Sequence, residues 1–160
     1  MPALKDEMVF LADGIVPVDP ALGLRERAQA FIRSRQWTTA SIHYGDQPEP
    51  ELSQRRPSWS ITFGLGLDHV PKMTADWFAD VLAIIEFLQP FAREERCEFL
   101  LEFRLSSRPW YSETLDHVTD APGASVDIGY VRTMLQRLTR PRATWWDKLV
   151  ARYRRPATLD

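Results

Sequence analysis

The chain of 160 residues has one cysteine, Cys97, so an intramolecular disulfide and a cysteine-based zinc site are both excluded. No stretch approaches 18 uninterrupted apolar residues, and no membrane-spanning helix is expected. The first residues, Met-Pro-Ala-Leu-Lys-Asp-Glu-Met, put acidic side chains where a secretory leader needs a basic start and an apolar run. A soluble, cytoplasmic protein is the resulting expectation. A phosphate-binding lysine loop is also missing. Gly64-Leu65-Gly66 lacks the third, helix-opening glycine of a dinucleotide site and is followed by Leu67-Asp68-His69-Val70-Pro71. No cofactor is called for. The favoured reading of these glycines is steric: a strand face without side chains lets a helix, a loop or a partner approach the backbone closely.

Periodicity is plentiful by contrast. Over residues 58 to 67, Trp59, Ile61, Phe63, Leu65 and Leu67 fall on one side and Ser58, Ser60, Thr62, Gly64 and Gly66 on the other, which only a strand achieves. The pattern returns at 97 to 105, with Cys97, Phe99, Leu101, Phe103 and Leu105 opposite Glu98, Leu100, Glu102 and Arg104. Between them, Trp77, Phe78, Val81, Leu82, Ile84, Ile85, Leu88 and Phe91 occupy one arc of a helix that Thr74 is placed to cap and that Pro90 should bend or end. Asp19-Pro20 opens a helix over about 20 to 35, and residues 37 to 44 read as a strand. The proline-rich stretch 45 to 57 reads as an exposed hairpin loop. A short strand is predicted near 110 to 117, then helices from Ile128 to Leu138 and over about 143 to 155, the latter basic. The whole is a single α+β domain over residues 1 to 160, with a mainly antiparallel sheet and amphipathic helices packed on one face.

Charge is uneven. Residues 130 to 160 carry eight basic against two acidic side chains, while the preceding 129 carry twelve against twenty. The two regions can neutralise each other in the fold or present opposite surfaces to partners, and self-neutralisation is the simpler reading. The C-terminal arginines stand beside an apolar stripe of Trp145, Trp146, Leu149, Val150 and Tyr153. That stripe docks on the body in the favoured reading, and an isoelectric point near 5.9 argues against a nucleic-acid binder.

Candidate chemistry is sparse. His69 and His117 each sit in a Leu-Asp-His-Val sequence, with His43 as the third histidine. Histidine beside aspartate suits a general base or a metal ligand, but successive strand residues point to opposite faces, so structural or surface histidines are the favoured reading. Cys97 reads as a small buried hydrophobe. Glu98 and Glu102 share a strand face, where solvated charge is the safer assignment. On the central helix, Phe87 projects between Asp76 and Asp80, opposite the apolar arc, which is where an aromatic anchor for a basic partner would stand. Packing under the 45 to 57 loop or on the C-terminal helix is the alternative.

In size, and in the run Ser58 to Leu67, the helix Trp77 to Phe91 and the strand Cys97 to Leu105, the chain resembles the small immunity proteins that bacteria encode beside secreted polymorphic toxins. The resemblance implies tight stoichiometric binding of a cognate toxin or other basic protein surface, without catalysis or metal. It carries over no functional residue, so the candidate partner-binding set Asp76, Asp80, Phe87, Glu98 and Glu102 stands on projection alone. The competing expectations are a small hydrolase or transferase using histidine and aspartate, and an adaptor binding through the basic C-terminal segment.

Overall fold

A computed structural model describes residues 8–38, 41–49, 57–66, 75–105, 108–121 and 123–139. Five strands form one antiparallel sheet: β1 (Met8–Val16), β2 (Ser41–Pro48), β3 (Trp59–Gly66), β4 (Phe99–Leu105) and β5 (Arg108–Val118), in the order β2-β3-β1-β4-β5. Helix α1 (Leu24–Arg33) links β1 to β2, α2 (Ala75–Glu95) links β3 to β4, and α3 (Ile128–Leu138) follows β5. The elements up to β4 have the connectivity of a split βαβ, ferredoxin-like arrangement, extended by β5 and α3. Such a topology prescribes no activity.

The α+β class and the single-sided helical layer are as the sequence implies, and the periodic segments fall where expected. Three boundaries differ. The predicted helix from 20 to 35 is a 3-10 turn, Pro20–Leu22, capped by the Asp19 carboxylate accepting from Ala21 N at 2.9 Å, followed by Gly23 at φ 143° and then α1. A left-handed-side φ at Gly23 interrupts the helix at no steric cost. Strand β2 continues through Gly45 to Pro48, where a loop was expected, because an edge strand tolerates proline and Asp46 is pinned to Arg25 of α1 at 2.7 Å. The Arg25 guanidinium holds that carboxyl below the usual aspartate value.

Helix α2 does not end at Pro90 but runs on to Glu95. Pro90 has no N–H to give the Glu86 carbonyl, on an exposed side of the helix, while Phe91 and Ala92 beyond it are buried and hold the last turns to the core. The helix stops at Arg96, in the left-handed region at φ 52°, with Cys97 N donating to Ala92 O at 3.1 Å, the six-to-one bond of a Schellman ending.

Strand β1 was not anticipated, and it is the central strand. Its Phe10, Ala12 and Val16 are fully buried on the helix side, but Val9, Leu11 and Ile15 on the other side are also apolar, which erases the period-two signature. The core lies between sheet and helices, built on Phe10, Ile61, Phe63, Leu65, Phe99, Leu101 and Phe103 against Trp77, Phe78, Val81, Ile84 and Leu88. Among the described residues no helix is long and apolar enough to cross a membrane. The basic segment 143 to 155, Thr74 and the Leu-Asp-His-Val sequence at 67 to 70 lie outside the described residues.

Candidate functional site

Two of the expected partner-binding residues belong to the interior. Asp80 is fully buried: Arg35 donates to its Oδ1 at 3.0 Å and the backbone N–H of Thr38 to its Oδ2 at 2.9 Å. The Arg35 guanidinium also lies over the Trp37 ring, 4.7 Å from its centroid, and Trp37 Nε1 donates to Ile32 O at 2.8 Å. This corrects the projection of Asp80 onto a solvated face. Phe87 is corrected likewise: its ring stacks on Phe31 of α1 at 4.4 Å and meets Phe63 of β3 edge-on at 5.6 Å. The reason is common to both. A helical wheel assigns one buried side, the one toward the sheet, whereas α2 also has α1 beside it on the same sheet face, and residues on that flank are covered too. Asp76 lies in the first turn of α2, with its side chain outside the described set.

Glu98 and Glu102, in contrast, come to the sheet face opposite the helices, which no described element covers. Alternation puts Ser60, Thr62 and Gly64 of β3, Leu11, Asp13 and Ile15 of β1, Leu100, Glu102 and Arg104 of β4, and His117 of β5 on this side, and Glu98, just ahead of β4, lines the same groove. Here lies a groove of about 710 Å³, lined by four carboxylates, Asp13, Glu49, Glu98 and Glu102, with one guanidinium, Arg104, and one imidazole, His117. The short side chains of β3 keep its side of the face low. At Gly64 the cause is direct, because a Cβ there would stand 2.5 Å from the His43 ring lying over it.

The central charges form a connected set. Thr62 Oγ1 donates to Asp13 Oδ1 at 2.7 Å, and Arg104 Nη2 donates to Glu102 Oε2 at 2.7 Å while standing 3.7 Å from Asp13 Oδ2. The Glu102 side chain is only 7% exposed, so the solvated charge expected for it is instead a paired one, which its burial requires. Among the described residues, no hydrogen-bond partner meets the buried Nε of Arg104. Farther along the groove, exposed Glu98 pairs with Nδ1 of His117.

The aspartate next to His117 in sequence takes no part in that pair. Asp116 accepts from the backbone N–H groups of His117 and Asp127, at 2.8 and 2.7 Å, and so fixes the approach to α3, whose first turn Asp127 caps by accepting from Tyr130 N at 3.0 Å. Cys97 is buried as expected, and burial pushes its thiol up to about 11. Among the described residues no group of three or more His, Cys, Asp or Glu side chains is placed to hold a metal ion.

Sequence reasoning missed Asp13, Leu11 and Ile15 because it missed β1, and it missed the link of Thr62 and Arg104 to each other because Asp13, which joins them, stands on that strand. The one legible signal was the smallness of the Ser60, Thr62, Gly64 side. No protein-family model, curated protein or solved structure matches the chain.

Proposed function

We propose that the protein is a non-catalytic binding protein that holds a basic protein surface against the open face of its sheet, and that the partner is a cognate toxin which it neutralises stoichiometrically, as an immunity protein does. The observation that carries this reading is the groove between β3 and β5, where carboxylates outnumber the guanidinium four to one. A field of that sign steers lysine- and arginine-rich surfaces toward it and repels acidic ones. The apolar side chains between the charges supply area that a partner removes from water.

The test is association with the product of the adjacent gene, measured at two salt concentrations. Glu98→Lys should slow association severalfold at low salt and less at high salt, since exposed charges are screened beyond about 10 Å at 0.1 M. Unchanged rates at both salts would remove the open face from the interface. No association at all would leave the toxin without support as partner.

One observation favours a second reading, the hydrolase or transferase. With Glu98 on Nδ1, the imidazole of His117 has a carboxylate orienting it at the edge of a groove, as a general base requires. In that case His117→Ala abolishes turnover of a small substrate, whereas the binding protein tolerates the change.

A further inference from the structure

The pattern of side chains on the open face specifies more than its charge. Read along the strands, β1 presents Leu11, Asp13 and Ile15 and β4 presents Leu100 and Glu102 with Glu98 just ahead of it, and Asp13 stands opposite Leu100 and Leu11 opposite Glu102 in the register. Apolar and acidic side chains therefore alternate in both directions. Ile15 is 51% exposed, one of the few large aliphatic side chains left in water among the described residues. Both central strands are already hydrogen-bonded on each side, so an occupant of this face cannot add a strand and must meet it with side chains.

Leu11 and Ile15 stand four residues apart on one strand, about 14 Å, with Leu100 between them on the next. Two turns of helix span about 11 Å, so apolar residues at i, i+4 and i+7 or i+8 reach all three points. Basic residues flanking that stripe then fall over Asp13, Glu98 and Glu102. The low side along Ser60 and Thr62 leaves room for the helix body. A second copy of this chain is a poor occupant, because opposing two such faces brings carboxylates against carboxylates.

We propose that the open face is a docking site for a basic amphipathic α-helix of the partner, which completes the sheet as a third layer. This rests on the binding-protein reading and narrows it to one kind of partner element. The probe is a 20-residue peptide of leucine and arginine with leucines at helical spacing, compared with a permuted peptide of the same composition, each added to the full chain. Backbone amide shifts and helicity are followed together.

The expected result is binding at least tenfold tighter for the helical peptide, a gain of helicity in the complex, shifts centred on Leu11, Asp13, Ile15 and Leu100, and at least a fivefold loss with Ile15→Ser in a protein that stays folded. Equal affinity for the permuted peptide overturns the helix while leaving an acidic docking face. Shifts confined to the helical layer overturn both readings. If neither peptide binds, the inference fails, and toxin association that remains sensitive to Glu98→Lys then keeps the broader reading alive. If replacing Arg152, Arg154 and Arg155 with Glu raises the peptide's affinity, the chain's own basic segment competes for the face and a partner helix is not its occupant.

Discussion

Val16 and Ile15 are neighbours on β1, yet Val16 is fully buried and Ile15 is half in water. The contrast runs across the whole sheet. On the helix side, Phe63 touches Phe31, Tyr44 and Phe87, and among the described residues no charged side chain of the five strands is fully enclosed there. On the other side, Thr62, Asp13, Glu102 and Arg104 form a polar network across three strands. Period two makes this division possible: a strand serves two environments with no residue shared between them. Under the proposed function, stability is concentrated on one face and recognition on the other, so each should be changeable with little cost to the other.

The sharpest way to break that separation is Phe63→Ala. A fully buried ring in contact with both helices and strands should cost about 3–5 kcal/mol on removal, read from denaturant unfolding, and a loss below about 1 kcal/mol would show that the helix side is not the seat of stability. Asp80→Ala comes next, at about 2–4 kcal/mol, because it leaves Arg35 and the Thr38 N–H without their carboxylate. Association of the folded Asp80 variant with the proposed partner should be unchanged; a slower association rate would return Asp80 to the interface.

Gly14→Ala should cost about 1–3 kcal/mol, since its Cβ would stand 2.5 Å from a Phe99 ring carbon and 2.8 Å from the Glu98 carbonyl oxygen, and the backbone partner cannot swing away. A neutral result in thermal melting would mean that β1 and β4 part easily. Glu98→Lys lies at the other extreme, with stability expected within about 0.5 kcal/mol of the parent while association slows. A large stability loss there would contradict the division of the sheet.

Cys97 gives the smallest perturbation, a chemical one. With its thiol at about 11 against the ordinary 9.0, the thiolate fraction at pH 8 is about a hundredfold lower in the folded chain, so alkylation should be about that much slower than after unfolding. Stability linkage follows the same sign. A thiol whose folded value is raised leaves stability intact below the unfolded value, about pH 9, and lowers it as the pH rises from about 9 to about 11, because the unfolded thiol ionises first, and equal alkylation rates in the two states would place Cys97 outside the core.

Much of the helix side was legible because each of its segments carries its own period. Residues 58 to 67 and 97 to 105 read as strands and Ile128 to Leu138 as a helix without reference to one another, and the structure has strands at Trp59–Gly66 and Phe99–Leu105 and the helix at Ile128–Leu138. β5 was read at 110 to 117 and is longer, Arg108 to Val118, with a register shift opposite Leu101 and Glu102 that puts Leu115 out of simple alternation. The candidate site was legible only in part. Glu98 and Glu102 share a face of one strand, which alternation reveals, but what stands beside them depends on β1, where apolar residues on both sides hide the strand.

The sequence by itself determined the local elements other than β1, the side of β3 and β4 that turns inward, and the cap at Asp19, because these depend on residues within a few positions of one another. Tertiary structure alone decided that β1 lies between β3 and β4, that α1 covers the flank of α2 bearing Asp80 and Phe87, and that Thr62 meets Asp13 across 49 positions while Arg104 reaches the same Asp13. Contacts at that separation arise from the order of strands in the sheet. No local period encodes that order, and it emerges only when the buried faces are packed together.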